Sequence, residues 1–267
     1  MIIRHDVDPA LYLADPASFT AIAPLLTHSE EIPIAYDRID EMLKPSLIRA
    51  AQTKPKTVAV CDGIGTLIHS QWILTAAHVA SDLARGDSIT FLDMSYSVKT
   101  VVLHPQWQDD ETDMAQVSND IALVQLAQTV ENVEPIPLYK DTDERSQIAT
   151  FVGKGDVGTG LIGPNNVDGK LRKATNRIEK ASDKWLLFKF DAPPTGTALE
   201  GVSGPGDRGG PALLETDRGW AIAGISSGQE DNPQLGEGYY GAIERYTRVS
   251  SYIDWIASVM EMNSIVL

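Results

Sequence analysis

Gly206-Asp207-Arg208-Gly209-Gly210-Pro211 is the stretch whose reading decides the fold. Its glycines force a tight backbone path, because glycine alone reaches positive φ without steric cost. An acid and one long cation stand at its centre, and an apolar run, Ala212-Leu213-Leu214, follows. Two earlier segments belong with it. In Trp72-Ile73-Leu74-Thr75-Ala76-Ala77-His78-Val79-Ala80, a strand-type run gives way to small residues and delivers His78 where the strand stops. In Asn119-Asp120-Ile121-Ala122-Leu123-Val124, Asp120 stands at the mouth of an apolar strand. Singly, His78 reads as a structural histidine and Asp120 as a turn residue. The three segments in this order are far more specific than any one of them.

Around them the chain is a succession of short strand-type runs with glycine punctuation. Residues 57–61, 66–68, 88–91, 96–102, 121–126, 148–152, 185–190 and 220–225 all have this texture. Many short strands with few helical patterns indicate antiparallel barrels or a sandwich. Two other textures flank them. Residues 8–52 read as helical and irregular, with Asp15-Pro16 and Lys44-Pro45 marking turns or helix starts. Tyr252, Ile253, Ile256, Val259 and Met260 fall at helical spacing, which predicts an amphipathic helix over 251–261. Val133-Glu134-Pro135-Ile136-Pro137-Leu138 resists both helix and central strand and reads as a crossover between two lobes.

Composition narrows the function. At 267 residues the chain can bury a large core, as one domain of two lobes or as two small domains. A net charge of −15 argues against nucleic acid or an anionic membrane as the main partner, since both need clustered Lys and Arg. Cys61 is the one cysteine, so no intramolecular disulfide forms, and it reads as a small buried apolar residue. No apolar run reaches the length of a membrane-spanning helix. The opening Met1-Ile2-Ile3-Arg4-His5-Asp6 lacks the pattern of a signal peptide. The acidic loop Asp109-Asp110-Glu111-Thr112-Asp113 lacks ordered cation-ligand spacing and reads as a solvated loop. The run 153–160 is glycine-rich but lacks the Lys-Ser/Thr ending of a phosphate loop. No His/Cys cluster has metal spacing, and no cofactor is implied.

Thr75-Ala76-Ala77-His78, Asn119-Asp120-Ile121-Ala122-Leu123 and Gly206-Asp207-(Arg208)-Gly209-Gly210-Pro211 together resemble the three signatures of trypsin-like serine proteases with the chymotrypsin fold. Gly65-Thr66-Leu67-Ile68, Pro135-Ile136-Pro137-Leu138 and Tyr246-Thr247-Arg248-Val249 extend the match over about residues 55 to 262. The resemblance implies an all-β fold of two antiparallel six-stranded Greek-key barrels, with an N-terminal helical or irregular extension and a C-terminal helix. Its expected divisions are an extension over 1–54, a first barrel over 55–135, a second over 136–250, and a helix and tail over 251–267. It implies peptide or protein partners, an exported (periplasmic or secreted) location, and, with the usual cysteines absent, a bacterial-type member.

Residue by residue, the resemblance makes His78 the general base and Asp120 the acid that orients it. Backbone N–H groups of Gly206 and Arg208 match the oxyanion hole. Asp207 matches the acid that pairs with a free N-terminal amine, which Ile2 or Ile3 would supply if the chain were cut before one of them. Val202 matches the floor of the specificity pocket, Ser226-Ser227-Gly228 the segment that pairs with substrate backbone (Ser227 replacing the usual Trp), and Glu244 a pocket-wall position. A Glu there would either receive a substrate Lys or Arg or face solvent on a loop. Ser203 reads as pocket wall rather than as a surrogate nucleophile.

At the nucleophile position the match fails, because Arg208 stands where the family has Ser. A guanidinium stays protonated and has no lone pair with which to attack a carbonyl. The expectation is a homologue that is inactive as written and binds peptide or protein in the old cleft. The alternative is an active serine endopeptidase whose nucleophile was changed in this copy. Arg208 is expected to seek a carboxylate, Glu244 being a candidate, or solvent, rather than lie uncompensated against His78.

Overall fold

The structure is a computed structural model that describes residues 1–32, 56–108, 117–230 and 234–264. The chain opens with β1 (Ile2–Ile3) and two short 3-10 turns, Pro9–Tyr12 and Pro16–Ser18, each started by an aspartate that accepts a bond from a backbone N–H. The first large sheet holds β2 (Ile22–Ile32), β3 (Lys56–His69), β4 (Trp72–Thr75), β5 (Ser88–Phe91), β6 (Met94–Leu103) and β7 (Ala122–Leu126). Between β4 and β5 lies α1 (Ala77–Ala80). The strands are bonded in the order β2-β3-β4-β7-β6-β5, and the edge strands β2 and β5 approach each other, so the sheet is nearly a barrel.

The second half supplies β8 (Ile148–Gly153), β9 (Val157–Thr159), β10 (Gly163–Asn166), β11 (Arg172–Ala181), β12 (Trp185–Lys189), β13 (Gly201–Val202), β14 (Pro211–Thr216), β15 (Gly219–Glu230) and β16 (Ile243–Arg248). Six of them close a barrel, β11-β12-β16-β15-β14-β8. Taken from its own first strand, this barrel repeats the order of the first sheet: three neighbours, then the remaining three in reverse. Along β11, Arg172, Ala174, Asn176 and Ile178 point inward and alternate with more exposed residues, the period expected of a strand with one face in a core. Phe151, Phe188 and Tyr246 fill the centre, with ring centroids 4.9–5.1 Å apart. A smaller sheet, β10-β9-β1-β13, lies beside it.

The crossover touches both halves: Ile136 N–H donates to Leu67 O, and Tyr139 N–H to Ile222 O. The last described element is α2 (Ile253–Ser264), whose Ile256 and Val259 join Tyr252 in the larger core. The fold is thus all-β, with two six-stranded closed or near-closed barrels and a C-terminal helix.

One expectation needs correction. The stretch read as a helical extension contributes β2, which pairs antiparallel with β3 from Ile22 to Ile32. Ala21, Ala23 and Leu25 are buried while Ile22, Pro24 and Leu26 are half-buried. Pro24 is tolerated because β2 is an edge strand and one side of its backbone needs no partner. The expected helix start at Lys44-Pro45 and the acidic loop at 109–113 lie outside the described residues.

Candidate functional site

The first sheet delivers two side chains. His78 follows β4 within α1, and Asp120 lies two residues before β7, the neighbour of β4. Adjacent strands therefore bring the two together. The His78 backbone N–H donates to Asp120 Oδ1 at 3.0 Å, and its Nδ1–H donates to Oδ2 at 2.8 Å. This leaves Nε2 as the ring nitrogen aimed away from the carboxylate, on a side chain 31% exposed. Asp120 is 1% exposed. Burial alone would raise its carboxyl, but hydrogen bonds from His78 and Ser227 reverse this and hold it below the ordinary value. Ser227 Oγ donates to Oδ2 at 2.5 Å, and Thr247 of β16 donates to the Asp120 carbonyl at 2.7 Å. The second barrel thus clamps an acid presented by the first.

The turn before β14 faces this pair. Gly206 and Gly209 have φ of +86° and +78°, and a Cβ at either would collide with the first sheet, at Cys61 O and Thr75 Oγ1 respectively. Only glycine satisfies both the dihedral and the approach. Ile64 N–H donates to Arg208 O at 2.8 Å and so joins the turn to β3. Neither the Gly206 nor the Arg208 N–H has a protein acceptor among the described residues.

Asp207 is buried behind the turn. Its Oδ1 accepts from Gly155 N–H at 2.7 Å and its Oδ2 from Gly204 N–H at 3.0 Å. Oδ2 also pairs with the Met1 ammonium at 2.6 Å, with 1% and 3% of the two partners exposed. In the structure the amine paired with Asp207 is that of Met1. Ile2 and Ile3 form β1, with Ile2 opposite Val202 and Ile3 opposite Gly201. The Met1 amine also donates to Asp156 O.

The other expected site residues separate. Val202 lies in an apolar cluster with Ile2, Phe190 and Tyr240. Glu244 is wholly buried, so the solvent-facing alternative is wrong. Ser203 donates to it through both N–H (3.0 Å) and Oγ, which also removes Ser203 from His78's service. Burial pushes the Glu244 carboxyl up to about 7, against opposition from the Ser203 bonds and the charge of Arg208. Ser226 has its N–H on Gly210 O and its C=O on Gly209 N–H, both at 2.8 Å, so the turn engages its backbone. Ser227, expected where the family carries Trp, directs its hydroxyl inward to Asp120. A β-bulge between Ser226 and Gly228 sets this alternation, leaving Gly228 as the member of the three without a bulky or inward-bonded side chain.

Arg208 does find a carboxylate, but it is Glu237 rather than Glu244. Its Nη2–H donates to Glu237 Oε1 at 3.2 Å. Sequence reasoning missed Glu237, although its setting, Gly236-Glu237-Gly238, gave a signal. Both glycines have positive φ (+95° and +75°) and hold the acid on a tight loop. The role of Ser227 carried no such signal, because a one-residue register choice decides which of two adjacent serines faces Asp120. Cys61 is buried, and burial pushes its thiol up to about 12, which suits a packing residue and not a nucleophile.

A family model described as Trypsin matches residues 49–256. Complement C1s subcomponent of Sus scrofa is 31% identical over 242 residues, covering 75% of this chain and 32% of that protein. Complement C1r-A subcomponent of Mus musculus is 28% identical over 233 residues, covering 74% and 31%. The chain thus spans about a third of the length of these curated relatives. Among solved structures, neuropsin, a serine protease expressed in the limbic system of mouse brain, superposes with a TM-score of 0.63 at 19% identity, over 93% of this chain and 98% of that one. GrC superposes with a TM-score of 0.60 at 18% identity, over 94% and 98%. Both likenesses bear on the fold alone.

Proposed function

The chain belongs to the trypsin family of serine proteases, and from that premise we propose that it is a non-catalytic member that binds peptide or protein partners in the cleft between its barrels. The observation that carries this reading is Arg208 in the glycine turn where the family has Ser, in a chain whose His78–Asp120 pair is formed. In the proposed assignment His78 is the general base, Asp120 fixes its tautomer, and the Gly206 and Arg208 N–H groups form the oxyanion hole. Asp207 holds the turn through the Met1 amine. Hydrolysis needs a hydroxyl at residue 208 to attack the carbonyl and pass its proton to His78 Nε2. A guanidinium does neither. Loss of the nucleophile lowers turnover by about six orders of magnitude. Val202, Gly228 and Glu244 are pocket residues by family resemblance, and all three are buried behind the surface a peptide would meet; Ser226 and Ser227 support the turn and Asp120. The single cysteine supports a disulfide-free, bacterial-type member. The exported location rests on family resemblance.

A second reading is favoured by one set of contacts. Ser227, Thr247 and His78 all hold Asp120, and the two turn N–H groups are unused, so everything except the hydroxyl is assembled. This suits an active endopeptidase whose Ser at 208 was replaced. The reversion Arg208→Ser separates the two. Long-standing loss predicts continued inertness on a fluorogenic peptide panel. A recent change predicts robust hydrolysis, blocked by a serine-directed phosphonate, and that result would remove the binding-only reading.

A further inference from the structure

Arg245 stands on β16 beside Tyr246, whose ring lies in the barrel core. Side chains alternate along a strand, so Arg245 faces out of the barrel, on the same side as Thr247, which reaches Asp120 O. This is the face of the second barrel that meets the first. Opposite Arg245 stand Leu187 of β12 and Gly228 of β15, the latter with no side chain to fill the space beside it. The guanidinium carbon lies 5.7 Å from the centroid of the Trp185 ring, which covers one face of the group. The side chain is 8% exposed, and Nε and Nη2 are buried with no hydrogen-bond partner among the described residues. These two nitrogens share one edge of the guanidinium, where their N–H bonds run parallel and match the two oxygens of a carboxylate. The molecule fills that same edge elsewhere. Arg4 gives Nε and Nη2 to Asp6 at 2.8 and 2.7 Å, and Arg248 gives them to Glu144 at 2.9 and 2.6 Å. At Arg245 the paired acid is Glu230, which is 57% exposed and stops with Oε1 3.9 Å from Nε, beyond hydrogen-bond reach. A buried cation with unsatisfied donors is costly, and an aromatic ring on one face offsets only part of that cost.

We propose that the Nε–Nη2 edge of Arg245, backed by Trp185, is a binding site for a carboxylate carried by a ligand, which enters past the exposed Glu230 and displaces it. The carboxylate comes either from an acidic side chain of a bound peptide or from a small free acid. The peptide source rests on the reading of the chain as a peptide binder; the site itself does not. A net charge of −15 repels strongly acidic partners, so the site suits a single acidic residue in an otherwise neutral or basic segment. Lysine would not serve in place of Arg245, because an ammonium lacks the planar pair of donors. Glu230 is a loosely held competitor, and an added ligand binds more weakly to the extent that Glu230 stands over the edge.

The probe for the site is acetate, titrated into the whole isotope-labelled chain against chloride at matched ionic strength and followed by NMR. The Arg245 Nε–H resonance, assigned by its loss in Arg245→Lys, is expected to shift downfield and saturate with acetate but not with chloride. Glu230→Gln removes the competing carboxylate and is expected to tighten acetate about threefold or more. A resonance that stays in place, or that moves alike with both anions, would overturn the site. The source is read from a peptide library carrying Glu or Gln at each position, passed over the immobilised chain. Wild type is expected to retain Glu over Gln about tenfold at one position, and Arg245→Lys and Arg245→Met to lose that preference. Equal retention of Glu and Gln peptides, with acetate still bound, would refute the peptide source and assign the site to small free acids. Retention of no peptide at all would overturn the peptide-binding function and leave the acetate result standing.

Discussion

At the scale of single residues, Glu244 is the group whose environment makes the sharpest prediction. Burial raises its carboxyl to about 7, and the Ser203 hydrogen bonds and the Arg208 charge hold it from rising further. A folded-state value above the unfolded one means that the native protein keeps a proton the unfolded chain releases. Stability therefore falls as pH rises from the ordinary Glu range to about 7 and levels off above it. The loss is on the order of 3 kcal/mol, from the gap between the two values. Glu244→Gln keeps the acceptor for Ser203 N–H and removes the titration. Its melting temperature should gain on wild type between pH 5 and pH 8, and a constant difference across that range would show that Glu244 does not titrate there. The sequence told which residue types stand at these positions but not that Glu244 is sealed or that Glu237 takes the guanidinium. Both outcomes depend on side chains meeting across strands and loops far apart in the chain.

Among elements, the end of β16 shows how the C-terminal helix is anchored. Arg248 meets Glu144 in a two-pronged ion pair, Nε to Oε1 at 2.9 Å and Nη2 to Oε2 at 2.6 Å, and Ser250 adds a bond to Oε1 at 2.8 Å. Glu144 is wholly buried and Arg248 nearly so. Glu144→Ala strands a buried cation and should cost about 3–5 kcal/mol in denaturant unfolding. Glu144→Ala with Arg248→Met should recover most of that loss; an undiminished loss would place the effect elsewhere. Strands with apolar runs were legible in the sequence, β7 and β15 among them. The terminal helix was legible because its apolar residues keep a helical period. β11 was not, since five of its ten residues are charged and only alternate ones turn inward. β2 was hidden by Pro24 and by apolar residues on both of its faces.

For the whole molecule, the two halves meet where Thr247 and Ser227 hold Asp120. The Met1 ammonium and Asp207 are buried together behind the turn. Asp207→Asn leaves the ammonium without a counter-charge and should cost about 3–5 kcal/mol. An unchanged melting temperature would show that the pair does not hold the turn. His78, Asp120 and the glycine turn were legible from sequence because each is local: a strand end, a strand start, and a path only glycine can follow. The Met1–Asp207 contact was not, because it joins residues separated by most of the chain. Arg208 in the place of a nucleophile is proposed to keep this site from hydrolysing peptides. The most direct test is to incubate the purified wild-type chain with a peptide library, with and without a serine-directed phosphonate, and read cleavage by mass spectrometry. No cleavage above the no-protein control is expected in either case; phosphonate-sensitive cleavage by the wild-type chain would overturn the non-catalytic reading.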